Sequence, residues 1–149
     1  MPPVAARPTP QPSAASAHLA RCVVLVDDEA SYIDLLEQLL GEHLSCPVVS
    51  FSNPRQALRG ILGRNVGLIV TDYNMPGLTG LQFIAEVQKI MPEVPVVMIT
   101  AYPVDFSPEE LARVPALKAI VRKPFRWPAL AEQISRHWPD DTVPPFPMR

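Results

Sequence analysis

The sequence has little of several residue types that would mark particular classes of protein. Of its 149 residues only 2 are cysteines and 19% are charged, and the formal net charge is −2. Two cysteines without metal-ligand spacing exclude a disulfide scaffold and a zinc cluster, so Cys22 and Cys46 are expected to be small buried apolar residues. Lysine and arginine form no runs, which argues against direct binding of nucleic acid.

Long apolar segments are also absent. No stretch approaches the roughly 18 residues that a membrane-spanning helix needs. The N-terminal segment lacks the apolar core of about 7–15 residues that is typical of a secretory signal. These two absences predict a cytoplasmic protein without membrane contact.

Proline, by contrast, is abundant and unevenly placed. Five of the 19 prolines lie in the first twelve residues and four in the last eleven. We therefore expect a flexible Pro/Ala-rich arm over 1–19 and a Pro-rich tail over 139–149. The body between them, 20–138, is long enough for one domain with its own core. Eleven Pro-rich residues cannot form an output domain, so a single-domain protein is expected.

Short apolar runs alternate with segments of helical spacing throughout this body. The runs near 22–26, 47–51, 66–70, 94–99 and 117–121 predict five strands. Helices are expected over about 32–40 with Gly41 as the stop, 54–62 with Asn53 as N-cap, 79–90, a short segment from 107, and 128–137. Because the strands are apolar throughout, the pattern predicts a doubly wound α/β fold, with helices on both faces of a parallel sheet.

Polar residues follow four of the five predicted strands directly. They are Asp27 and Asp28, Asp72, Thr100, and Lys123. In open parallel sheets, ligands bind beyond the carboxyl ends of the strands. Taken alone, Asp27 and Asp28 are as well explained by a turn and a helix N-cap. Their occurrence together with the other three residues favours a common site.

The residue types of this group indicate phosphoryl transfer. Converging carboxylates repel each other unless a cation binds, and an all-oxygen site suits Mg²⁺. A lysine and a hydroxyl beside the metal site would bind an anion. Metal, lysine and hydroxyl together can neutralise a transferring phosphoryl group, with a carboxylate as its acceptor.

Four segments at these strand ends resemble the receiver domain of two-component response regulators, in particular the single-domain chemotaxis type. They are Val26-Asp27-Asp28-Glu29, Asp72-Tyr73-Asn74-Met75-Pro76-Gly77, Thr100-Ala101 and Lys123-Pro124-Phe125. The resemblance extends over essentially the whole body, with the motifs in order. It implies a flavodoxin-like sheet of five parallel strands in the order 2-1-3-4-5, with five helices.

The resemblance also implies a role for each site residue. Asp72 is expected to accept the phosphoryl group, and Mg²⁺ to be bound by Asp27, Asp28, Asp72 and the backbone carbonyl of Asn74. The phosphoryl oxygens would contact the Thr100 hydroxyl, the Ala101 backbone N–H and the Lys123 ammonium. The Lys123–Pro124 peptide bond is typically cis in such domains. A receiver domain is a phosphoryl acceptor with possible autodephosphorylation and not a turnover enzyme.

One position departs from the family pattern. Receiver domains usually carry a Tyr or Phe three residues before the lysine, and here that residue is Ile120. The usual aromatic response to phosphorylation is therefore in doubt, with Tyr102 as a candidate substitute. Asn74 and Tyr102 lie at positions that tune the lifetime of the aspartyl phosphate.

Three functions remain open on the sequence. The first is a response regulator that receives phosphoryl from a histidine kinase or phosphotransfer protein. It would signal to a downstream protein through the surface of the fourth helix, fifth strand and fifth helix, with homodimerisation undecided. The second is a phosphorelay intermediate or phosphate sink without allosteric output, which Ile120 favours. The third is an Asp-nucleophile phosphatase, which is disfavoured because Asn74 stands where such enzymes usually carry a second acid.

Overall fold

The computed structural model describes residues 21–139. The predicted arm over 1–19 and the tail beyond Pro139 lie outside these residues. Five parallel strands form one sheet in the order β2-β1-β3-β4-β5. The strands are β1 Cys22–Val26, β2 Val48–Phe51, β3 Val66–Asp72, β4 Val96–Thr100 and β5 Leu117–Arg122. Both the fold class and the strand order are confirmed.

Five helices connect or follow the strands. They are α1 Ala30–His43, α2 Pro54–Gly60, α3 Gly80–Ile90, α4 Pro108–Ala112 and α5 Trp127–Arg136. The predicted N-cap at Asn53 is confirmed, since its side chain accepts hydrogen bonds from the N–H groups of Arg55 and Gln56. Thr79 and Ser107 each begin a helix with a reciprocal capping box. These caps satisfy N–H groups that have no partner inside the helix.

The predicted stop at Gly41 is wrong. Helix α1 continues through Gly41 to His43, and the N–H of Leu44 donates to the Leu40 carbonyl at 2.7 Å. Leu40 and Leu44 are both buried. A glycine inside a helix costs only about 1 kcal/mol relative to alanine. Burial of two leucine side chains contributes more than that, so tertiary packing extends the helix.

The core lies on both faces of the sheet because alternate side chains of each strand point in opposite directions. On one face, Val23 and Leu25 pack with residues of α1 and α5, including Leu36 and Ile134. On the opposite face, the packed residues come from the other side of β1 and from α2 and α3, including Val24, Val26, Ala57, Phe83 and Ile84. The central strands β1, β3 and β4 are buried along their whole length.

The two edge strands differ from the expected apolar pattern. All four residues of β2 are half-buried. In β5 exposed and half-buried residues alternate, and Lys118, Ile120 and Arg122 are exposed. An edge strand has a neighbour on one side only, and here helices cover β5 on one face. The sequence run 117–121 could not reveal this, because its exposed positions include an isoleucine.

The two tryptophans pack around the last helix, as expected. The centroids of the Trp127 and His43 rings are 4.1 Å apart. This contact joins α5 to the end of α1. Trp138 is buried over Gly67, where an added Cβ would lie 2.5 Å from the indole. Cys22 is buried as predicted and Cys46 is half-buried. Within 21–139, no helix is long and apolar enough to cross a membrane.

Candidate functional site

Three aspartates meet at the carboxyl edge of the sheet, and we call them the acid cluster: Asp27, Asp28 and Asp72. Asp27 and Asp28 directly follow β1, and Asp72 is the last residue of β3. One carboxylate oxygen from each lies within 4.8 Å of the others. Asp27 and Asp72 are buried, whereas Asp28 is exposed. The structure therefore brings together the three acids that were expected at the ends of the strands. The cluster is open to solvent at Asp28.

The surroundings of the Asp72 carboxyl group disfavour its ionised form. Burial raises its pKa, and the charge of Asp27 raises it further. Lys123 and the N–H groups of Tyr73 and Asn74 act in the opposite direction. The Tyr73 N–H donates to Asp72 Oδ1 at 2.8 Å. A carboxylate in this state gains stability from any additional cation that arrives.

Lys123 supplies the positive charge of the site. Its Nζ donates to Asp27 Oδ2 at 3.1 Å and lies 3.7 Å from Asp72 Oδ2. The Lys123 N–H donates to the Thr100 carbonyl at 2.8 Å, which fixes its backbone beside β4. The Lys123–Pro124 bond is cis, as the resemblance implied. The ammonium therefore reaches both buried acids from the end of the edge strand β5.

Asp27 is held by two partners at once. Its Oδ1 accepts the N–H of Glu29 at 2.9 Å, while Oδ2 accepts Lys123 Nζ. This arrangement fixes the carboxylate without using all of its acceptor capacity, since two carboxylate oxygens offer about four lone-pair directions. The remaining directions are available to a metal ion.

Thr100 ends β4 and is buried, but its hydroxyl is engaged elsewhere. Thr100 Oγ1 accepts the N–H of Tyr102 at 3.2 Å and donates to the Tyr102 carbonyl at 3.1 Å. The hydroxyl therefore contacts the loop that follows β4, and its expected contact with a phosphoryl oxygen stays a prediction. Ala101 lies at the start of this loop and is exposed.

The loop after Asp72 places Asn74 at the surface and Met75 in the core. Its return to α3 depends on Gly80, whose N–H donates to the Tyr73 carbonyl at 2.6 Å. A Cβ at Gly80 would lie 2.8 Å from the Asp72 carbonyl oxygen and 2.9 Å from the Tyr73 Cα. Only glycine allows α3 to begin this close to the end of β3. This role of Gly80 was not predicted from the sequence.

Tyr32 is the second residue near the site that was not predicted from the sequence, although it lies at the start of the helix predicted over 32–40. The centroid of its ring lies 4.4 Å from Lys123 Nζ. Tyr32, Ala101, Lys123, Pro124 and Phe125 line a cleft of about 430 Å³. One signal was available, since Tyr32 follows Asp28 by about one helical turn and therefore lies near the same sheet edge.

The acid cluster fits a magnesium ion by the chemistry of its donors. Mg²⁺ prefers oxygen ligands, keeps several waters and is usually bound by one or two carboxylates. Three carboxylates within 4.8 Å, one of them exposed, supply such donors and leave access for water. The raised pKa of Asp72 supports the same conclusion, because a divalent cation would relieve its repulsion from Asp27.

Similarity to known proteins agrees with this arrangement. The response regulator protein FleR of Pseudomonas aeruginosa is 31% identical over 121 residues, which are 80% of this chain and 25% of FleR. The chain spans a quarter or less of the length of this and other curated relatives that it matches.

Two solved structures share the fold. The Vibrio cholerae chemotaxis protein CheY4 is 25% identical with a TM-score of 0.68, covering 79% of this chain and 98% of that chain. The Thermotoga maritima response regulator protein TrrA, solved in complex with Mg²⁺-BeF, is 27% identical with a TM-score of 0.68, covering 78% and 97%. The response regulator receiver domain model matches residues 23–135, which include β1 from its second residue, β2 to β5 and the acid cluster. The chain belongs to the family of response regulator receiver domains.

Proposed function

We propose that this chain accepts a phosphoryl group on Asp72 and transmits its phosphorylation state by protein contact. Receiver domains are phosphoryl acceptors that interact with histidine kinases and downstream effectors. The carrying observation is the acid cluster with Lys123 Nζ 3.1 Å from Asp27 and 3.7 Å from Asp72. This combination holds both the anionic acceptor and the cation that a phosphoryl group needs.

In this proposal the metal is Mg²⁺, and it is held by Asp27, Asp28, Asp72 and the backbone carbonyl of Asn74. When bound, it neutralises negative charge on the phosphoryl oxygens. Complex formation of TrrA with Mg²⁺-BeF supports the assignment by similarity. The exposed position of Asp28 provides the side from which a hydrated ion can enter.

The chain's own residues would perform the transfer as follows. One Asp72 carboxylate oxygen attacks phosphorus and forms an O–P bond. The P–N bond of a phosphohistidine donor breaks, and its electron pair leaves with the imidazole, which takes a proton from solvent. Lys123 needs only a small displacement from Asp72 to contact a phosphoryl oxygen. The Thr100 O–H would leave the Tyr102 carbonyl and donate to a phosphoryl oxygen, beside the N–H of Ala101.

Output is proposed to use exposed apolar residues beside the site, which we call the α4–β5 face: Tyr102, Leu111 and Ile120. They are 60%, 43% and 40% exposed. Tyr102 connects this face to the site through its two hydrogen bonds with Thr100. A downstream protein would dock here and against the neighbouring α5. The histidine kinase or phosphotransfer protein would contact the acid cluster, and both encounters would take place in the cytoplasm.

A phosphorelay intermediate or phosphate sink is the second candidate. Ile120 favours it, because its side chain is exposed and is not an aromatic ring of the kind that usually responds to phosphorylation. The two candidates share the chemistry and differ in whether the α4–β5 face changes. Backbone amide chemical shifts of Tyr102 and Ile120 before and after phosphorylation separate them.

The test of the chemistry is incubation with acetyl phosphate and Mg²⁺ followed by intact mass measurement. We expect the gain of one phosphoryl group by the native chain and none by Asp72→Asn. The matched control is Asp105→Asn, an exposed acid outside the cluster, which should be phosphorylated like the native chain. Equal phosphorylation of Asp72→Asn contradicts the proposal, and steady turnover of p-nitrophenyl phosphate would support a phosphatase instead.

A further inference from the structure

The ammonium of Lys123 has three partners. Asp27 and Asp72 lie 3.1 Å and 3.7 Å from Nζ. Nζ also lies over the face of the Tyr32 ring, 4.4 Å from its centroid. An ammonium within about 6 Å of an aromatic centroid is attracted by the negative face of the ring. Lys123 therefore has an uncharged partner besides its two charged ones.

The ring of Tyr32 is itself held in place. Tyr32 lies in the first turn of α1 and packs edge-on against Phe125, with centroids 6.4 Å apart. Phe125 follows Lys123 by two residues, across the cis peptide bond. The aromatic pair thus connects the helix after the first two acids with the segment that carries the lysine. Edge-to-face pairs at this distance are a preferred arrangement of aromatic rings.

The charged partners of Lys123 are also the proposed metal ligands, and this overlap gives the ring a distinct role. A bound cation would partly neutralise the charge of Asp27 and Asp72, and this would weaken their attraction for the ammonium. The ring does not bind magnesium in this way, so its attraction for Lys123 persists. Without it, the long lysine side chain would gain freedom to extend into solvent.

We propose that Tyr32 is a positioning residue that holds the Lys123 ammonium beside Asp72 during phosphoryl transfer. The proposal rests on the function proposed above. The Tyr32 hydroxyl remains neutral at physiological pH, because burial and then the charges of Asp27, Asp72 and Glu29 raise its pKa to about 12. The ring therefore acts through its face and adds no negative charge to the acid cluster.

The experiment varies the electrons of the ring while retaining its shape. Position 32 is changed by Tyr32→Phe, by trifluorophenylalanine and by Tyr32→Leu, and the rate of phosphorylation by acetyl phosphate is measured at saturating Mg²⁺. Tyr32→Phe should stay within about twofold of the native rate, since the ring face is retained. Trifluorophenylalanine and leucine should each lower the rate about threefold to tenfold, as expected for loss of a partly desolvated cation–π contact.

The matched control is Leu35→Ala, on the exposed side of the same helix, which should leave the rate unchanged. A second measurement does not depend on phosphorylation. The ring current of residue 32 should move the ε-methylene proton resonances of Lys123 upfield in the native chain and in Tyr32→Phe, but not in Tyr32→Leu. This measurement tests whether the two side chains are in contact in solution.

Two results would overturn the inference. If the native chain is phosphorylated and the fluorinated and leucine variants react at the native rate, Tyr32 does not position Lys123 and the proposed function stands. If the Lys123 resonances are the same in the native chain and in Tyr32→Leu, the contact itself is absent. Failure of the native chain to gain a phosphoryl group would instead reject the proposed function, and with it this role of Tyr32.

Discussion

The acid cluster and the α4–β5 face lie close together but are built in opposite ways. The cluster lies at the carboxyl ends of β1 and β3, two strands whose residues are all buried, and two of its three acids are buried as well. The α4–β5 face is carried by a helix of five residues, none of them buried, and by a strand in which every second residue is exposed. The acid cluster is thus surrounded by buried residues, whereas the elements of the α4–β5 face have only half-buried and exposed ones.

In the proposed function, this difference separates phosphoryl transfer at the acid cluster from its readout at the α4–β5 face. A phosphoryl acceptor must hold several groups in fixed positions, which strands buried on both sides can do. A surface that reports the state of the site must have two accessible conformations, and these come from regions of low local stability. Thr100 joins the two regions, because it ends a buried strand and contacts the exposed Tyr102.

The largest expected effect is a difference in stability between substitutions of two isoleucines on adjacent strands. Ile99→Ala should lower the free energy of unfolding by about 2–5 kcal/mol, because the side chain is fully buried. Ile120→Ala should cost less than about 1 kcal/mol, since much of its side chain already contacts water. Urea denaturation of both variants measures the difference. Equal costs would show that the α4–β5 face is packed as tightly as the centre.

Binding of Mg²⁺ at the acid cluster should stabilise the folded chain, and no such effect is expected from the α4–β5 face. At a free concentration 100 times its dissociation constant, a ligand of the folded state stabilises it by about 2.7 kcal/mol. Denaturation with and without Mg²⁺ should show this gain in the native chain and in Asp105→Asn. The gain should be much smaller in Asp28→Asn, and EDTA should reverse it. A gain that is the same in all three proteins would place the ion outside the cluster.

Two glycines allow a further comparison, between a position with no room for a side chain and a position with open space around it. Gly80→Ala should cost about 1–3 kcal/mol, because the new methyl group meets the Asp72 carbonyl oxygen and the Tyr73 Cα at less than 3 Å. Gly41→Ala should instead stabilise by about 0.5–1 kcal/mol, since it lies in a helix with nothing within 4 Å of the new atom. Thermal unfolding distinguishes them by sign. A cost at both positions would contradict the close approach at Gly80 as the cause.

The smallest effect is a pH dependence of stability that originates from Asp72. Its pKa is raised in the folded state, so the folded chain binds this proton more tightly than the unfolded chain. The resulting stability is complete below the ordinary aspartate pKa of 3.8 and is lost as pH rises through the folded value. In the absence of Mg²⁺, Asp72→Asn should therefore melt above the native chain at neutral pH. This advantage should disappear at low pH, and an advantage that persists there would have another cause.

Much of the site could be predicted from the sequence because of one property of parallel sheets. All strands of the sheet end at the same edge, so residues that directly follow apolar runs are brought together without any knowledge of packing. Asp27, Asp28, Asp72 and Lys123 were found in this way, and their grouping is confirmed. Thr100 was placed correctly at the end of β4, but the direction of its hydroxyl depends on a loop that periodicity does not describe.

The errors arise where three-dimensional contacts decide. Gly41 was predicted to end a helix by a local preference that burial of Leu40 and Leu44 outweighs. Gly80 and Tyr32 were missed because their importance depends on how α3 and α1 approach the sheet, and on no property of their neighbours in sequence. The exposure of Ile120 could not be recognised either, since an apolar residue in a strand is ordinarily assigned to the core.

The paired hydrogen bonds between Thr100 and Tyr102 have a consequence for binding strength. The Thr100 hydroxyl has one proton, so it cannot donate to the Tyr102 carbonyl and to a phosphoryl oxygen at the same time. In the proposed function, the Tyr102 carbonyl therefore competes with the phosphoryl group for this proton. Part of the free energy of phosphoryl binding would then be used to break this hydrogen bond. A weaker bond to the Tyr102 carbonyl would favour retention of the phosphoryl group, whereas a stronger bond would hold the loop in its present conformation. The strength of this bond would thus set the balance between retention of the phosphoryl group and movement of the loop.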